Sequence, residues 1–74
     1  KDGKNNLCGV KIAKKRKELG ISQRELADRL QLIGLDVDKN AIQRIECGKR
    51  FVTDIELKAL SETLKITVSD LLSL

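Results

Sequence analysis

The sequence predicts an all-α fold, a compact five-helix orthogonal bundle, and three observations carry that prediction. Proline is absent, most of the five glycines fall between segments with helical apolar spacing, and strict apolar alternation occurs nowhere. Together they favour helices joined by short turns over strands. Seventy-four residues make one domain. A core of that size buries only about 60% of the unfolded chain's surface, which leaves little room for a ligand pocket.

The elements follow in order. Residues 1–9 (KDGKNNLCG) are polar and read as a flexible N-terminal segment, with the folded domain over 10–74. A first helix is expected from Val10 to Leu19, with Ile12 and Leu19 facing inward, Lys11, Lys14, Lys15 and Lys17 facing outward, and Gly20 as its left-handed stop. Ser22 with Glu25 has the spacing of a capping box and opens a second helix, along which Leu26, Ala27, Leu30 and Ile33 share one face up to Gly34. Asp38 is the natural N-cap of a third helix, from Lys39 to Cys47, which Gly48 closes. Thr53 with Glu56 is a second capping box and starts a fourth helix carrying Ile55, Leu57, Leu60 and Leu64. Thr67 with Asp70 caps a short fifth helix holding Val68, Leu71 and Leu72.

Charge and cysteine usage narrow the function classes. Fifteen Lys and Arg stand against eleven Asp and Glu, and the excess is concentrated: residues 1–52 carry a net +6, residues 53–74 a net −2. A basic front with a mildly acidic back points to a polyanionic partner on one side. Cys8 and Cys47 are isolated and histidine is absent, so neither a CxxC pair nor a tetrahedral zinc set can be assembled. The chain reads as cytoplasmic, with reduced thiols. No apolar run approaches the roughly 18–20 residues of a membrane span. The lysine-rich first helix has no Trp or Phe anchor for a membrane surface.

Two constellations imitate chemistry without completing it. Asp36, Asp38 and Asn40 match the first ligands of a calcium loop, but Ala41 occupies the sixth position and Cys47 the twelfth, where Gly and Glu are required. An enzyme reading fares no better, because there is no His to act as base, no Gly-rich phosphate loop and no metal set. No cofactor, metal or small-molecule ligand is expected.

The third helix separates packing from chemistry. At about 100° per residue, Ala41, Ile42 and Ile45 fall on one side and Asn40, Gln43, Arg44 and Cys47 on the other. Asn and Gln pair bidentately with adenine N6 and N7, and Arg with guanine O6 and N7, so the outer side carries the groups a major groove calls for. An ordinary solvated helix face has the same polarity, and this helix alone does not decide between them.

The runs SQRELADRL, AIQRIECGKR and LKALSETLKITVSDLL, in that order, resemble the Cro/lambda-repressor-like (Xre-family) helix-turn-helix domain over residues 10–72. The resemblance implies a lambda-repressor-like bundle whose second and third helices form the helix-turn-helix. It also implies a bacterial or phage transcriptional regulator, a repressor by occlusion, that binds double-stranded DNA as a homodimer. Lys39, Asn40, Gln43 and Arg44 would face the bases, and Gln23, Lys49 and Arg50 the phosphates. Arg16 and Glu46 match the family's structural ion pair between the first helix and the recognition helix. Exposed apolar residues from Leu72 to Leu74 are candidates for the dimer surface. The run QLIGLDVDKN is longer than the family's usual turn, so the second helix is expected to run about one turn longer. Lys65 stands where the family commonly has Gly. The alternative function on this fold is a protein-interaction module, an antitoxin or an adaptor.

Overall fold

A computed structural model describes residues 2–72, with side chains described from Cys8 onward. Among the described residues there are five helices and no strand: α1 (Asp2–Glu18), α2 (Gln23–Leu32), α3 (Lys39–Glu46), α4 (Asp54–Leu64) and α5 (Val68–Leu72).

Side-chain caps set where the helices begin. Ser22, Asp38, Thr53 and Thr67 each accept a hydrogen bond from the backbone N–H three residues on, satisfying a donor the first helical turn leaves unpaired. The stops are equally local. After α1, α2 and α3, the N–H groups of Ile21, Leu35 and Lys49 bond back to the carbonyls of Arg16, Leu30 and Arg44, the Schellman pattern.

Ile12, Leu26, Leu30, Ile42, Ile45, Leu60, Leu64 and Leu71 are the largest fully buried side chains, and they form one core to which all five helices contribute. Each contributes about 1.5–3 kcal/mol by leaving water. Helix α1 packs against α3 and α5, while α2 packs against α3 and α4. The core thus grips α3 from two sides and leaves its third side outward.

The structure corrects several details. Helix α1 begins at Asp2 rather than Val10, and Cys8 belongs to the core. Gly9 explains the difference. A Cβ there would collide with the Ile45 carbonyl oxygen, so the glycine lets the α1 backbone lie directly against α3. Close packing outweighs the low helix propensity that made KDGKNNLCG read as coil.

Leu19 and Ile33 are exposed rather than inward, because α1 ends at Glu18 and α2 at Leu32, which takes both residues off their helical faces. Ile55 is 75% exposed. It lies about 200° around α4 from Leu57, and the buried neighbour is Glu56 instead. The Ser22 box is half made: Glu25 donates its N–H to Ser22, but its carboxylate turns to Arg29 at 2.7 Å. Helix α2 runs to Leu32, just before Gly34. The connection 33–38 that follows is pinned by the Gln31 amide on the Val37 carbonyl at 2.7 Å and by burial of Val37. Leu72 is exposed, and the other residues of the proposed dimer surface, 73–74, lie outside the described residues.

Candidate nucleic-acid interface

Helix α3 is held at both ends and along one side. Asp38 Oδ1 accepts from the Ala41 N–H at 2.8 Å and fixes the start. Gly48 takes a φ of 78°, which L side chains rarely adopt, so the chain turns sharply and Lys49 emerges beside the last turn of α3. Ile42 and Ile45 enter the core, and Ala41 packs partly against it. Lys39, Asn40, Gln43, Arg44 and Cys47 remain exposed. The structure therefore brings all four expected base-facing residues onto one outward side of one rigid helix.

A second layer locks the base of that helix. Arg16, from α1, donates from Nε to Glu46 Oε2 at 2.7 Å and from a terminal nitrogen to Oε1 at 3.1 Å. Its other terminal nitrogen donates to the Ile21 carbonyl at 2.9 Å. Gln23, the first residue of α2, donates its amide to Glu46 Oε1 at 2.9 Å. One carboxylate thus ties α1, α2 and α3 together. The side chains of Arg16 and Glu46 are only 10% and 8% exposed, so each charge is kept in place by its partner. Gln23 retains a second amide proton, and its backbone N–H lies in the first turn of α2, where no intrahelical acceptor exists.

Arg50 does not join the outward cations. Both of its terminal nitrogens bind the Glu56 carboxylate, at 3.0 and 2.7 Å, while Glu56 also accepts from the Thr53 N–H at 3.1 Å in a complete capping box. Bidentate pairing of guanidinium with carboxylate explains the preference. That pairing gives Arg50 a structural role in the loop after α3, with its side chain still 32% exposed. Hydrogen bonding to Arg50 holds the Glu56 carboxyl below its ordinary range despite burial, which acts the other way. The same bond holds the Arg50 guanidinium above its ordinary range.

The sequence reading missed Arg24. Among the described residues, Arg24, Lys39, Arg44 and Lys49 have no ion-pair or hydrogen-bond partner on their side chains, whereas Arg16, Arg29 and Arg50 are all paired with carboxylates. The signal for Arg24 was available, since it follows Gln23 in the first turn of α2. Unpaired cations around an exposed amide pair form a surface suited to a polyanion. Cys8 and Cys47 are both free thiols, Cys8 buried and Cys47 exposed. No described helix is long and apolar enough to cross a membrane.

No curated protein and no solved structure matches the chain significantly. The family model described as Helix-turn-helix matches residues 12–71, a span that runs from the core residue Ile12 of α1 to the core residue Leu71 of α5. The chain therefore belongs to the Xre/lambda-repressor-like helix-turn-helix family of DNA-binding regulatory domains, which is not a family of enzymes.

Proposed function

We propose that the domain binds double-stranded DNA sequence-specifically and acts as a transcriptional repressor, with α2 and α3 as the helix-turn-helix and α3 in the major groove. The observation that carries this reading is the outward side of α3, where Lys39, Asn40, Gln43 and Arg44 stand exposed on a helix fixed by its cap, its core stripe and Glu46. A helix is about 10–12 Å across and the major groove about 12 Å wide, so α3 fits with its polar side toward base edges. Gln23 and Lys49, at the start of α2 and just past α3, would hold the flanking phosphates. Arg50 supports the loop that carries Lys49.

The domain acts as a homodimer on DNA in this reading. Recognition helices on successive half-sites lie about 34 Å apart. The longest dimension of the domain is 31 Å, so two copies at that spacing are neighbours along the duplex. Occupancy of a promoter then blocks transcription by occlusion, in the cytoplasm of a bacterial or phage-infected cell, with no cofactor.

Selection of bound sequences from random double-stranded DNA tests the proposal. A preferred sequence with two related half-sites about one helical turn apart is expected, with two protomers in the complex. Failure to enrich any sequence, or binding insensitive to salt, would instead favour the interaction-module alternative, which needs no phosphate contacts.

A further inference from the structure

A groove of about 300 Å³ runs between the outer side of α2 and the start of α3, with Arg24, Asp28, Gln31, Lys39 and Asn40 along its walls and the buried Ala27 below. Two polar groups of this groove are already occupied. Asp38 caps α3, and the Gln31 amide holds the Val37 carbonyl. Arg24, Asp28, Lys39 and Asn40 are exposed, and among the described residues their side chains have no partner.

Asp28 is the anomaly. It follows Arg24 by one helical turn, yet the two do not pair, unlike Glu25 and Arg29 on the same helix. A carboxylate beside Lys39 and Asn40 opposes phosphate on every DNA sequence, which makes it costly for a surface that only gathers charge. In the major groove, cytosine offers its N4 amino group to a carboxylate as a donor with no competing acceptor on its own edge. Adenine places the N7 acceptor beside its N6 amine, and guanine and thymine present acceptors, so each of these meets the carboxylate less favourably.

We propose that Asp28 is a sequence filter: its carboxylate accepts a hydrogen bond from a cytosine amine beside the bases read by α3, and it opposes binding wherever that position holds another base. The inference rests on the DNA-reading assignment of α3 and adds a reader from α2. Specificity built from a repulsive element offset by one correct partner follows the general logic of discrimination by penalty.

The test compares wild type, Asp28→Ala and Glu25→Ala by selection from random DNA and by titration against the preferred and random duplexes. Both substitutions remove one negative charge from the exposed side of α2, but Glu25 lies outside the groove. Circular dichroism melts confirm that each variant is folded. Asp28→Ala should lose about tenfold discrimination for cytosine at one base pair, keep the preferences that Asn40→Ala abolishes, and bind random DNA several-fold more tightly than Glu25→Ala does. The filter is overturned if Asp28→Ala enriches the wild-type sequence unchanged, or if Glu25→Ala gains as much on random DNA. Loss of cytosine preference without any gain on random DNA also overturns it. If the wild type enriches no sequence at all, the assignment of α3 fails and the filter fails with it.

Discussion

Glu46 is the residue on which most of the interface geometry depends, because its two oxygens receive Arg16 from α1 and Gln23 from α2 while its backbone belongs to α3. Glu46→Ala leaves a buried guanidinium without its counter-charge, a change expected to remove about 3–5 kcal/mol. A domain of this length has on the order of 4–11 kcal/mol in total, so a urea titration should show the midpoint fall by at least about a quarter. A loss below about 1 kcal/mol would mean that Arg16 finds another acceptor. Lys65 makes the opposite case. It is the only described non-glycine residue with positive φ, 58°, at the end of α4. A side chain in that region costs roughly 1–2 kcal/mol, and glycine would relieve it at some cost in unfolded-chain entropy. Lys65→Gly should therefore raise stability by about 0.5–1 kcal/mol in the same titration, and a decrease would show that the lysine makes contacts that outweigh its backbone strain.

At the scale of the element, two devices place α3 and its following loop. Gly9 lets α1 approach so closely that even a methyl group meets the backbone of α3. Gly9→Ala must push the two helices apart, and it should lower stability by about 1–3 kcal/mol, as overpacking does, while shifting amide resonances along α3. Unchanged α3 resonances would refute the close approach. The second device is the Arg50–Glu56 clamp on the α3–α4 loop. Glu56 has a depressed folded-state pKa, so its contribution is complete above the ordinary carboxylate range and is lost as pH falls through the lower folded value. Acid titration of wild type should show this stability lost below the usual carboxylate range, and Glu56→Gln should flatten that part of the curve. An identical acid limb in both proteins would remove Glu56 from the account.

Those two devices also mark the limit of what the sequence made legible. Caps, stops and the exposed side of α3 were readable because each is fixed by a few adjacent residues: Asp38 before Lys39, Gly48 after Cys47, Ile42 and Ile45 three apart. Gly9 and Arg50 were not. One is defined by contact with α3, the other by pairing with a carboxylate six residues away. Ile55 was grouped with Leu57 on hydrophobicity alone, although the helical angle already placed it outside.

Across the domain the charged groups divide into two kinds. Arg16, Arg29 and Arg50 are held by carboxylates, whereas among the described residues Arg24, Lys39, Arg44 and Lys49 have no side-chain partner, as is also true of Lys14, Lys17, Lys58 and Lys65 elsewhere on the surface. Base edges carry sequence information and phosphates do not, so the free groups around α3 should separate functionally. The most direct measurement is a competition assay with Asn40→Ala, Arg44→Ala and Lys49→Ala on preferred and random duplexes at several salt concentrations. Asn40→Ala and Arg44→Ala should each lose about 1–3 kcal/mol on preferred DNA and little on random DNA. Lys49→Ala should weaken both alike and lower the salt slope by about one unit. Equal losses on both duplexes for all three substitutions would contradict the assignment of α3 as the reader of sequence.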